Sequence, residues 1–132
     1  MRRVPKRIRT CDEFEAALRR VPFAQARLPD LDWLVTTGDM TGRAYGLWHL
    51  LLRLVHDAIA QRDWWSVGEL LKLYDSVQLA GRRGEMSEAS YVAFLEDVRL
   101  PDDPAELRKF WQACPPVFLR EIQEHRGIHR GC

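Results

Sequence analysis

From about Gly42 to Gln61, apolar side chains recur at Leu47, Trp48, Leu50, Leu51, Leu52, Leu54, Val55, Ala58 and Ile59, covering most of a helical circumference. One narrow stripe stays polar: Gly46, His49, Arg53, His56 and Asp57. A helix this apolar packs on several neighbours, so the segment is expected at the centre of the fold. After the short link Gln61-Arg62-Asp63, Trp65, Val67, Leu70, Leu71, Tyr74 and Val77 continue the helical period, and Gly81 and Gly84 end it. Two long helices joined so tightly must run antiparallel, which predicts a central αα-hairpin with Asp63 capping its second helix.

Shorter helices are predicted on both sides. Thr10 followed by Glu13 forms a capping box before Phe14, Ala17, Leu18 and Val21, and Pro22 stops that run. The stretch from Pro22 to Thr41 is broken by prolines and glycines, with room for one short turn capped by Asp30. Ser87 is expected to cap a helix with Tyr91, Phe94, Leu95 and Val98 on one face, running to Leu100-Pro101. Asp102 or Asp103 with Pro104 restarts a helix carrying Leu107, Phe110 and Trp111. Pro115-Pro116 opens the last one, with Phe118, Leu119 and Ile122, ending at Gly127.

No segment alternates with the period of two that a half-buried strand requires, and the valines fall at helical spacing. The class is therefore all-α: a single-domain bundle of six to seven helices around the hairpin, with no fixed repeat period. A chain of 132 residues with 46% hydrophobic and 30% charged residues is one globular domain. Its expected organisation is a flexible basic arm over residues 1–10, a helical domain over 11–126 and a frayed tail over 127–132. The apolar run at 47–60 is interrupted by His49, Arg53, His56 and Asp57, and no apolar stretch follows the basic N-terminus, so neither a membrane span nor a signal peptide is expected. A cytoplasmic protein is the default reading, and arginine's excess over lysine, 17 to 3, suggests a GC-rich bacterial genome.

The net charge of +1 conceals an asymmetry: Arg2, Arg3, Lys6, Arg7 and Arg9 stand without an acid, leaving 15 basic and 19 acidic residues in the remainder. A basic arm attracts nucleic acid only nonspecifically, and no recognition-helix pattern or basic stripe accompanies it, so nucleic acid is an unlikely partner. Cys11, Cys114 and Cys132 are widely spaced and read as free thiols. His125 and His129 have the i, i+4 spacing of a zinc pair, with Cys132 beyond them, but Gly127 interrupts the helix between them. No metal and no cofactor is expected.

Catalytic signatures are not found: no G-x-S-x-G elbow is present, Cys114 before Pro115 reads as a buried junction residue, and Gly81-Arg82-Arg83-Gly84 lacks the P-loop lysine. The residues left are candidates for binding a partner. Trp64 and Trp65 point about 100° apart on a helix, so both cannot face one core; the outward one either anchors a partner or wedges against a flanking loop. The stripe His49, Arg53, His56 and Asp57 is a solvated face or a groove whose imidazoles titrate near neutrality. Glu96 and Asp97 lie near a helix C-terminus, where negative charge is uncomfortable, and Arg82 and Arg83 can meet an acidic patch.

The strings Leu50-Leu51-Leu52-Arg53-Leu54-Val55-His56, Phe94-Leu95-Glu96-Asp97 and Pro115-Pro116-Val117-Phe118-Leu119 resemble small helical bacterial proteins of toxin-immunity repertoires, over about residues 45–125. That resemblance implies a stoichiometric binder that occludes a cognate toxin and performs no chemistry itself. Its near-neutral charge argues against nucleic-acid mimicry. The alternative is a small helical enzyme or ligand-binding bundle, with Glu96, Asp97, His49 or His56 lining an internal pocket.

Overall fold

A computed structural model describes residues 5–28, 40–81 and 86–127. Among them lie seven α-helices and no strand: α1 (Cys11–Arg19), α2 (Pro22–Gln25), α3 (Met40–Ala60), α4 (Trp64–Leu79), α5 (Ser87–Ala93), α6 (Pro104–Ala113) and α7 (Pro116–His125). A 3₁₀ turn, Leu95–Asp97, follows α5. The chain is an all-α bundle, as its periodicity predicts. No helix among the described residues is long and apolar enough to cross a membrane.

The hairpin of α3 and α4 is the spine, and both helices are hubs. The second is nearly buried all round, since α3, α5, α6, α7 and α1 all pack on it. Its start is capped as expected, with the Asp63 carboxylate accepting from the Ser66 amide and hydroxyl. The end of α3 closes in a Schellman arrangement: Asp63 N–H donates to Ala58 O and Arg62 N–H to Ile59 O. Arg62 stands at φ 57° in the left-handed position where glycine is usual, and its guanidinium pairs with Glu106 of α6. Gly81 and Gly127 occupy the equivalent positions after α4 and α7. Gly68 lets α6 approach, because a β-carbon there would stand 2.9 Å from Ala113 O.

Three expectations are corrected. The segment 5–10 is not a free arm: Ile8 is buried, its N–H donates to Ser76 O at 3.0 Å, and Ser76 Oγ donates to Pro5 O. One apolar residue among the cations supplies the burial that docks it on α4. Ser87 is the first helical residue rather than a cap, and α5 stops at Ala93 instead of continuing to Leu100. The break at Phe94 buries Phe94, Leu95 and Val98 together, and Arg126, at the end of α7, donates to the carbonyls of Leu95, Glu96 and Val98. A four-residue helix, Pro22–Gln25, occupies part of the stretch read as broken. The turn expected after Asp30 lies outside the described residues.

Candidate functional site

The sequence candidates separate. Trp64 is half-buried against the core, while Trp65 is 63% exposed on the first turn of α4. On α3, His49 and Arg53 are exposed, but the other half of the stripe is engaged in the fold. Asp57 pairs with Arg27 at 2.7 Å, and that guanidinium lies 3.6 Å over the Phe23 ring centre, tying α3 to the segment after α2. His56 Nε2 accepts from the Arg99 N–H at 2.9 Å. Glu96 and Asp97 are exposed on the 3₁₀ turn. Arg82, Arg83, His129 and Cys132 lie outside the described residues.

Burial and the nearby Arg99 hold His56 below its ordinary value, Asp97 opposing them. An unfolded chain takes up this proton near 6.5 and the folded chain only at lower pH, so between those values the unfolded state binds more protons. The stability His56 contributes is therefore complete above 6.5 and declines as pH falls through that interval. Denaturant titrations at about pH 7.5 and about pH 5.5 should show that decline, and His56→Gln, which keeps an acceptor without titrating, should lessen it.

A different group of polar side chains converges where α4, α5 and α7 meet. Tyr74 and Gln78 stand one turn apart on α4 and line a cleft of about 310 Å³. Ser87, Glu88, Ser90 and Tyr91 reach it from α5, and Glu121 from α7. Gln78 Nε2 donates to Ser90 Oγ at 2.9 Å, and Ser90 Oγ donates to Ser87 O at 2.8 Å. The Tyr74 hydroxyl donates to Glu121 Oε1. Burial, then the bond to Glu121, pushes the Tyr74 phenol far up, so it stays protonated. Tyr91 Oη is hydrogen-bonded to His125 Nδ1 at 2.7 Å, with the two rings edge to face. This cleft holds none of Glu96, Asp97, His49 and His56.

Asp75, on the neighbouring face of α4, accepts from Val117 N–H at 3.0 Å and Phe118 N–H at 2.7 Å. It thereby caps α7, whose own start, Pro115-Pro116, carries no capping side chain. Burial raises the Asp75 carboxyl despite those two bonds. Burial, helped by Asp75, also pushes the Cys114 thiol well up, so the sulfur stays protonated and is a poor nucleophile. Among the described residues no group of three or more His, Cys, Asp and Glu side chains is placed to hold a metal ion.

Sequence reasoning overlooked this cleft. Its signal is three polar pairs at one-turn spacing, Tyr74 with Gln78, Ser87 with Tyr91, and Glu121 with His125. Each pair alone looks like a solvated helix face, and only the packing of three helices brings them together. No protein-family profile, curated protein or solved structure matches the chain.

Proposed function

We propose that this chain is a stoichiometric protein-binding module of the immunity type, acting in the cytoplasm by occluding a cognate toxin. The observation that carries this reading is Trp65, a large aromatic 63% exposed on a rigid, capped helix. An indole held by helical backbone loses little freedom on binding, and tryptophan is prominent among residues that dominate interface energetics. Charged pairs lie close to it along the chain: Arg62, three residues before it, with Glu106, and Glu69, one turn along α4, with Lys72. Such a rim orients a partner while the ring is desolvated. Tyr91 and Val92, exposed next to each other on α5, add a second apolar contact.

The test is capture with the whole chain from its native host, followed by expression of the captured protein alone and with this chain. A partner held at equal stoichiometry, toxic alone and harmless in the complex, is the expected result. Trp65→Ala should weaken capture about ten-fold or more while leaving the thermal midpoint unchanged, because the indole is outside the core. Recovery of no stoichiometric partner overturns the binding role. A partner harmless by itself overturns the immunity role.

A further inference from the structure

The cleft between α4, α5 and α7 offers chemistry of one sign. Among the described residues its lining holds two carboxylates, Glu88 and Glu121, with phenol, hydroxyl and amide groups, and no lysine, arginine or histidine. The backbone reinforces the acids: α4 ends at Leu79 beside Gln78, and α7 ends at His125 one turn beyond Glu121. Both helices thus bring the negative end of their dipoles toward it, opposed only by the first turn of the seven-residue α5.

The donors and acceptors are unevenly used. Tyr74 spends its proton on Glu121 Oε1, and the other oxygen of that carboxylate meets only a loose, exposed approach from Arg120 at 3.8 Å. The carboxylate of Glu88 forms no hydrogen bond or ion pair among the described residues. Tyr91 is 47% exposed, yet its ring is pinned by the hydroxyl bond and the edge contact to His125. A fixed aromatic face beside two carboxylates with spare acceptor capacity matches a flat cation, which stacks on the ring while its N–H groups reach the oxygens.

We infer that this cleft receives a guanidinium group, presented as an arginine side chain by the protein partner. The inference rests on the protein-binding reading and names the chemistry of one contact. A guanidinium suits the site better than a compact ammonium, because its fork bonds a carboxylate in two places and its plane stacks. Glu88 and Glu121 supply the acceptors, Tyr91 the face, and the Gln78–Ser90 bond keeps the wall between them in place.

N-acetyl-arginine N-methylamide is the probe, titrated into the whole labelled chain by NMR, with the neutral citrulline analogue as control. The expected result is saturable shifts at Gln78, Ser90 and Tyr91 with the arginine compound and none with citrulline. Glu88→Gln should weaken binding about five-fold, the scale of one exposed charge pair, and Glu121→Gln should do the same while still accepting from Tyr74. Equal shifts with citrulline, unsaturable shifts, or an affinity unchanged by both variants would overturn the site. Partner capture separates the two readings: Glu88→Gln should reduce capture independently of Trp65→Ala. If the probe binds but Glu88→Gln captures the partner fully, the cleft serves a free small cation and the arginine contact is refuted.

Discussion

Replacing Trp48 by alanine is expected to cost about 3–5 kcal/mol of folding free energy, the range for truncating a buried large aromatic. This residue is fully buried on α3 and gathers rings from three other elements: Phe14 of α1 at 4.9 Å, Phe94 after α5 at 5.3 Å and Tyr74 of α4 at 5.9 Å. Its indole N–H donates to Met86 O at 2.8 Å, so truncation also strands a carbonyl at the approach to α5. Since domains of this kind hold roughly 5–15 kcal/mol in all, the variant should be marginal. Urea denaturation followed by circular dichroism measures it. Trp48→Phe should fall between, keeping a ring and losing the bond; equal stability of both variants and the parent would show that the four-ring cluster does not hold the bundle together.

Asp75→Ala should cost about 2–4 kcal/mol, because two amides at the start of α7, one buried and one part-buried, lose their common acceptor and α7 loses its cap. Val117 and Phe118 have no substitute nearby on their own helix, whose first positions are prolines. Asp75→Asn should cost less, since its carbonyl oxygen retains one amide and no charge is buried. The pH dependence of this group runs opposite to that of His56. Burial lifts the Asp75 carboxyl above its ordinary 3.8, so above that value the folded state binds more protons and stability falls as pH rises through the lifted value. Denaturant midpoints across the acid range should show this slope in the parent and lack it in Asp75→Asn. An alanine variant as stable as the parent would mean that α7 is held by Phe118 and Ile122 alone.

The Asp75 test also bears on the proposed arginine contact, because α4 and α7 both line the cleft. Loosening α7 withdraws Glu121 from Tyr74 and His125 from Tyr91, while Trp65, at the far end of α4, keeps its exposure. If both proposed contacts hold, an Asp75 variant that still folds should lose binding of the arginine probe before it loses partner capture through Trp65.

Much of the architecture was legible in single residues. Thr10 with Glu13, Asp63, Asp102 or Asp103 with Pro104, Gly81 and Gly127 each mark a helix end through local chemistry, and each of those ends stands in the structure, with Asp103 as the residue that caps α6. These signals act within four residues, where backbone hydrogen bonds and φ preferences decide the outcome. The mistaken boundaries are those where a distant group wins. Met86, whose carbonyl accepts from the Trp48 indole, stands at the cap position in place of Ser87 without a capping side chain, and the helix after it breaks at Phe94 because burying Phe94, Leu95 and Val98, with Arg126 donating to the freed carbonyls, outweighs a longer helical run.

The candidate residues divide along the same line. That Trp64 and Trp65 face different ways follows from helical geometry, and one is half-buried while the other is exposed. Which one is exposed depends on where α6 and the core lie. Half of the stripe on α3 is a solvated face, at His49 and Arg53, and half is engaged, at His56 with Arg99 and Asp57 with Arg27. Hydrophobic periodicity and capping chemistry alone establish an all-helical chain built on a tight hairpin, because those forces are read from neighbours along the chain. Tertiary packing decides the docking of Ile8, the capping of α7 by Asp75 and the assembly of the cleft from three helices, since each joins residues on separate elements, whose pairing no local pattern encodes.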